Sequence, residues 1–203
     1  MTHRTVVSIL ALCILGGAVF LTVALVSPPA PLPVDAPATD HCGTCTRCIE
    51  VCPTGAIVAP YVLDARRCIA YLTIELKGPI PPELRPLIGN RVFGCDDCQL
   101  FCPWNKFAAA TGCGDFSPRH GLDAAQLATL FAWDRPEWER RTEGSAIRRA
   151  GYEGWLRNLA VALGNAPRGD AGAITALRAR SHDPSALVRE HVAWALERHG
   201  AAG

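Results

Sequence analysis

Read for the alternation of apolar and polar positions, the chain falls into three stretches. Val6 to Val26 runs 21 residues without a charge, long enough to cross a bilayer. His3 and Arg4 precede it, and a proline-rich stretch, Ser27 to Pro37, follows. Ala38 to Phe107 consists of short apolar runs punctuated by glycine and proline. Ala56–Val58 and Tyr61–Leu63, flanking Pro60, predict two small strands, and Ile69 to Lys77 predicts a helix ended by Gly78-Pro79. Pro81-Pro82-Glu83-Leu84 starts a second short helix that Gly89-Asn90 stops. From Leu122 helix follows helix. Asp123 and Gln126 have capping-box spacing ahead of the stripe Leu127, Leu130 and Phe131. Trp155, Leu156, Leu159 and Leu163 recur at helical spacing as far as Gly164-Asn165, and Asp170 caps a helix carrying Ile174 and Leu177. Asp183-Pro184 starts the last helix, since proline at the first helical position gives up no hydrogen bond. Leu187, Val188, Val192, Ala195 and Leu196 then face one way until Gly200. Two antiparallel helices joined by an Asp-Pro turn form a hairpin of the kind stacked in helical solenoids.

The predicted fold class is therefore mainly α with a small α+β part, organised as residues 1–34 (apolar segment and linker), 35–110 (a turn-rich module) and 120–203 (helical). At 203 residues the chain is long enough for one or two domains with a real core. A net charge of +1 excludes a polybasic nucleic-acid binder or an acidic tail protein. Only Lys77 and Lys106 among the 20 cations are lysine; the rest are arginine, whose planar fork suits phosphate. The Val6–Val26 run lacks a clean small-x-small cleavage site. It reads either as a membrane anchor, which Arg4 would orient with the rest of the chain exported, or as a displaced start. The expected location is cytoplasmic, with membrane association through residues 6–26 as the alternative.

Ten cysteines are too sparse for a small disulfide scaffold and too regularly spaced for ordinary core thiols. Cys42-x2-Cys45-x2-Cys48-x3-Cys52-Pro53 has the spacing of bacterial ferredoxin-type [4Fe–4S] ligation, in which the fourth cysteine serves the other cluster. Cys95-x2-Cys98-x3-Cys102-Pro103 repeats the ending with three cysteines. Two clusters need eight thiolates, and Cys68 completes the count. Topology then assigns Cys42, Cys45, Cys48 and Cys102 to cluster 1, and Cys52, Cys68, Cys95 and Cys98 to cluster 2. Paired zinc sites are the bland alternative, but they would not need the repeated x3-Cys-Pro ending. Cys13 and Cys113 receive no role. The six histidines show no metal-ligand spacing; His41 is expected in a solvated turn, and His191 at the surface or partly buried on its helix. Electron transfer is the minimum function.

Three runs go further: Ala36 to Cys45, Leu63-Asp64-Ala65-Arg66-Arg67-Cys68-Ile69-Ala70-Tyr71-Leu72-Thr73-Ile74-Glu75, and Gly94-Cys95-Asp96-Asp97-Cys98-Gln99-Leu100-Phe101-Cys102-Pro103-Trp104-Asn105-Lys106. These, with Ala150-Gly151-Tyr152-Glu153-Gly154-Trp155-Leu156-Arg157-Asn158, resemble bacterial epoxyqueuosine reductases from about Pro33 onward. The resemblance implies reduction of epoxyqueuosine to queuosine at the tRNA wobble position, using cobalamin and two [4Fe–4S] clusters ligated as above. It also implies a bacterial ferredoxin-type two-[4Fe–4S] module followed by HEAT-like helical hairpins that help hold the anticodon arm. Expected partners are tRNA, a reduced donor of flavodoxin or ferredoxin type, and a separate cobalamin-binding chain. Family members carry an N-terminal cobalamin domain that supplies the acidic proton donor; some 34 residues precede the match here, so no catalytic residue is nominated and the chain alone is expected to be inactive.

Residues 135–158 carry six arginines against four glutamates. Arg140, Arg141, Arg148, Arg149 and Arg157 are the candidate tRNA contacts, since phosphate binding by such pairs is strongly salt-dependent. Trp138, Tyr152 and Trp155 among them would stack on unpaired bases or else fill the core. Two rival readings stand beside this one: a two-cluster ferredoxin-like electron carrier, and a membrane-anchored iron–sulfur subunit using Val6–Val26.

Overall fold

The structure, a computed structural model, describes residues 36–37 and 39–201; the Val6–Val26 run and Cys13 lie outside them. The chain divides into two units, Met1–Gly43 and Thr44–Gly203. In the first, the Asp40 carboxylate accepts the backbone N–H groups of Cys42 (2.8 Å) and Gly43 (3.4 Å), closing a tight turn.

The second unit opens with α1 (Arg47–Glu50), where the Thr46 hydroxyl donates to the Glu50 carboxylate. Strands β1 (Ile57–Ala59) and β2 (Val62–Leu63) pair antiparallel, with Ile57 opposite Leu63. These are the two predicted strands, the first shifted by one residue and the second starting one residue later, at Val62. Asp64 then caps a 3₁₀ turn, Ala65–Arg67.

The helix predicted over Ile69–Lys77 is present but forms a wide π-turn over Tyr71–Glu75. The Thr73 hydroxyl donates to the Ile69 carbonyl (2.7 Å), four residues back, and competes with the backbone ladder there. A second short helix, α2 (Arg85–Ile88), starts later than its prolines suggested. Pro82 pushes Pro81 away from helical geometry, so Pro81–Leu84 closes as a turn instead. Helix α3 (Asp97–Leu100) follows, then a 3₁₀ turn, Pro103–Phe107, and another at Gly114–Phe116.

The helical region comprises α4 (Leu127–Ala132), α5 (Arg135–Arg141), a 3₁₀ turn at Ala146–Ala150, α6 (Tyr152–Gly164), α7 (Ala171–Ala179) and α8 (Ala186–His199). The Asp123–Gln126 capping box does not form. Gln126 is extended and itself precedes the first helical residue, and its side chain makes no cap bond. Asp134 and Asp170 do cap, accepting the N–H groups of Glu137 (2.8 Å) and Ala173 (2.7 Å). Helix α8 begins two residues beyond Pro184, because Asp183 turns inward to accept the Ser185 N–H (3.0 Å). It ends at Gly200, which takes the left-handed conformation at φ +70°.

Helix α6 is the axis of the molecule's packing. One face joins Phe131, Leu177, Val188 and Val192 in the main core, and Val161 joins a second core of Ile69, Leu72, Ile80, Leu84 and Ile88. Each such side chain contributes roughly 1.5–3 kcal/mol on burial. Where α6 meets α8, a Cβ on Gly164 would stand 2.7 Å from the Trp194 ring and 2.8 Å from the Ala195 Cβ, so only glycine permits the approach. Among the described residues no helix is long and apolar enough to cross a membrane.

Candidate metal centre

Each cysteine cluster is built on a short helix. Cys48 lies on α1 and Cys98 on α3, and the two helices pack against each other. Cys52 and Cys102 follow one turn later, each ahead of a proline that turns the chain away. None of the nine described cysteines forms a disulfide; Cys45 is exposed, while Cys48, Cys52, Cys68, Cys95, Cys98 and Cys102 are half-buried. Cys42 lies exposed in the first unit. Cys113 is also exposed, in the loop after Thr111.

Cys98 lies within electrostatic reach of three other cysteines. Burial pushes its thiol up, and the negative charges of Cys95, Cys68 and Cys52 push it further. Burial also pushes Cys95 up, with the Asp97 carboxylate adding to it against an Asp97 backbone hydrogen bond. Cys52 goes the other way: burial opposes its thiolate, but the N–H groups of Ile57 and Ala56 and the Thr54 hydroxyl outweigh it. The Ala56 N–H donates to the Cys52 Sγ at 3.2 Å. Hydrogen bonds of this kind to ligand sulfur are one of the levers on cluster potential.

Cys52, Cys68 and Cys95 lie within electrostatic reach of Cys98, and cysteine sulfurs are soft ligands that suit an iron–sulfur core, which takes them as thiolates on binding. Among the described residues no three His, Cys, Asp or Glu side chains converge on a single ion site. A cubane makes no such demand, because its four ligands bind four different irons.

Several residues that sequence reading passed over hold these loops. Arg67, beside Cys68, donates to the buried Thr54 carbonyl from Nε (2.9 Å) and Nη2 (2.6 Å), tying the Cys68 turn to the Cys52 turn. The Thr73 hydroxyl accepts the Gly94 N–H (2.9 Å) next to Cys95, and Gly94 sits at φ +78°, where a side chain would be strained. Arg91 pairs with Asp97 (2.5 Å) and fixes the approach to α3. Arg67, Thr73, Gly94 and Asp97 all fall inside the runs that carry the family resemblance, which is their one signal in the sequence; Arg91 lies outside those runs.

The arginines divide. Arg140 and Arg141 both pair with Glu137 (2.6 and 2.5 Å), holding its carboxyl below the usual range. Arg148 donates to the Glu139 carbonyl, and Arg149 pairs with Glu75 (2.6 Å). Arg140, Arg148 and Arg149 are exposed and Arg141 is half-buried. Arg157 is not at the surface: at 1% exposure it faces backbone carbonyls and is out of reach of a phosphate. Trp138 and Trp155 are buried, the latter stacked on Trp133 at 6.0 Å, so they fill the core. Tyr152 is half-buried and donates to the Trp133 carbonyl (2.7 Å). His191, expected near the surface, is fully buried: its Nε2 accepts the Ile80 N–H (3.1 Å) while Nδ1 donates to the Leu187 carbonyl (2.8 Å). His41 is exposed.

Residues 41–105 match a family described as a 4Fe-4S double cluster binding domain. Over 170 residues the chain is 67% identical to the epoxyqueuosine reductase of Xanthomonas campestris pv. campestris, covering 84% of this chain and 48% of that one. The structure of epoxyqueuosine reductase from Bacillus subtilis superposes with a TM-score of 0.76 at 36% identity, covering 83% of this chain and 45% of that one. An epoxyqueuosine reductase crystallised with an epoxyqueuosine-modified tyrosine-tRNA stem loop gives 0.71 at 35% identity, over 84% and 45%. The chain thus spans about half the length of the curated relatives it matches. Over the segment it shares with them, with a mainly helical fold and a two-stranded sheet, this chain is similar to the epoxyqueuosine reductases.

Proposed function

We propose that the chain is the iron–sulfur and tRNA-contacting portion of an epoxyqueuosine reductase, serving the reduction of epoxyqueuosine to queuosine at the tRNA wobble position. Residues 35–110 are a ferredoxin-type module and 120–203 a HEAT-like helical region, in which α7 and α8 form one hairpin. Cys42, Cys45, Cys48 and Cys102 hold one [4Fe–4S] cluster; Cys52, Cys68, Cys95 and Cys98 hold the other. The observation that carries this reading is the gathering of Cys95, Cys68 and Cys52 about Cys98, within the segment that matches a double-cluster family.

The clusters supply one-electron transfer steps when bound. The chain's own residues hold them: Arg67 and Thr73 brace the ligand loops, and the Ala56 N–H supports the Cys52 sulfur. The cobalamin site belongs, on this reading, to the half of the relatives with which this chain does not align. The electron source is a reduced flavodoxin- or ferredoxin-type protein, and the setting is the cytoplasm.

A structural relative crystallised with a tRNA stem loop supports assigning Arg140, Arg141, Arg148 and Arg149 to phosphate contact. Binding of tRNA by the purified chain separates this reading from a simple electron carrier. The deciding experiment is anaerobic reconstitution with iron and sulfide counts and EPR. About eight irons per chain are expected for two cubanes; a colourless, zinc-loaded product overturns the assignment.

A further inference from the structure

Arg157 and Asn158 sit side by side on α6, yet all their side-chain bonds beyond the pair reach the cysteine-bearing region. The Arg157 Nη1 donates to the carbonyls of Leu76 and Gly78 (2.7 Å each) and Nη2 to that of Leu72 (2.8 Å). Its Nε and Nη2 also donate to the Asn158 Oδ1 at 3.1 and 2.9 Å. Every one of these acceptors is neutral. Burial lowers the guanidinium pKa only to about 10, so it stays a cation at neutral pH. A cation enclosed among neutral dipoles keeps a field that water does not screen.

The acceptors lie on the turn that follows Cys68, since the Leu72 N–H itself donates to the Cys68 carbonyl (2.9 Å). Asn158 reaches further: its Nδ2 donates to the carbonyls of Thr73 (2.7 Å) and Val92 (2.8 Å). Thr73 in turn accepts the Gly94 N–H beside Cys95. One amide on α6 therefore ties the segment after Cys68 to the segment before Cys95. The Cys95 side chain itself packs on the core that Val161 of α6 completes.

We propose that Arg157 and Asn158 are positioning residues for the cluster of Cys52, Cys68, Cys95 and Cys98. The amide sets the spacing of two ligand segments, and the guanidinium supplies a fixed positive charge that favours the cluster's reduced form. This rests on the cluster assignment made above. Reduction adds one electron to a group already made anionic by its thiolates, so a nearby unscreened cation raises its potential. A brace with no electrical role would be lost alike in Arg157→Gln and Arg157→Lys, since both lose the guanidinium fork, whereas the charge is kept in Arg157→Lys.

The test uses the full chain, reconstituted anaerobically and titrated with dithionite while EPR is recorded. In Arg157→Gln one of the two cluster signals should move to a more negative midpoint potential, while Arg157→Lys, which keeps the charge, stays near the parent. Asn158→Ala should alter the line shape of that same signal at full iron content and leave the other signal alone. Should Arg157→Gln fail to hold iron, Asn158→Ala decides alone, and a spectrum identical to the parent's overturns the proposal. Unchanged potentials in an iron-replete Arg157→Gln overturn it as well. A parent chain that binds no clusters refutes the cluster assignment itself, which is a different outcome.

Discussion

Between Thr44 and Phe107 the buried apolar side chains are Ala56, Ile69, Leu72, Ile80, Leu84 and Ile88, whereas α6 by itself buries at least as many along its 13 residues. The cysteine-bearing region makes up the difference with polar ties: Arg67 to the Thr54 carbonyl, Thr73 to Gly94, Asn158 to Thr73 and Val92. It also leaves Leu100, Phe101, Trp104 and Phe107 exposed. The helical region is held by apolar area removed from water, the cysteine region by tethers and by the ligands its thiolates take. Damage to each should therefore show in different observables.

The largest contrast comes from Cys98→Ser. Iron should fall from about eight to about four per chain, while far-UV circular dichroism, dominated by α6–α8, stays near the parent. A spectrum that collapses with the iron would mean that the helical region also depends on the metal. Leu159→Ala should do the reverse. With Leu159 fully buried, the cavity should lower unfolding free energy in urea by about 2–5 kcal/mol, leaving iron content per folded chain unchanged.

Acid tests the seam between the regions. Burial, the largest cause, holds the His191 pKa down to about 4 from an ordinary 6.5, and Arg85 and Arg157 push the same way. The folded state binds the proton less readily than the unfolded one. Stability is then full above pH 6.5 and is lost as pH falls toward 4, on the order of 3 kcal/mol in total. Protonation would also remove the Nε2 lone pair that accepts the Ile80 N–H. Urea midpoints between pH 7.5 and 4.5 should show the decline, and His191→Gln should flatten it. The smallest effect belongs to the surface: Arg148→Ala with Arg149→Ala should reduce the slope of log binding constant against log salt for tRNA by about 1–2. Melting temperature should barely change, and an unaltered slope would remove these two residues from the tRNA face.

Local signals held where the physics is local. Asp170, Gly164-Asn165 and Gly200 bound their helices as spacing predicted, because caps and stops act over one turn. The Asp123 box failed because Gln126 took the cap position itself. The π-turn at Tyr71–Glu75 was illegible in advance, since its carbonyls are claimed by Arg157 and Asn158, some 80 residues on. Charge counting placed Arg157 with Arg148 and Arg149, but counting carries no information on which way a helix turns.

Read alone, the residues determined how many sulfurs the chain offers and at what spacing, for Cys-x2-Cys-x3-Cys-Pro is a property of the chain itself. They also determined where most helices run, through apolar periodicity. Tertiary structure decided which titratable groups are inside: Arg157 and His191 are buried because α6 and α8 press against the turn after Cys68 and the loop at Ile80. Burial depends on what lies opposite, and what lies opposite is set by contacts between residues far apart in sequence.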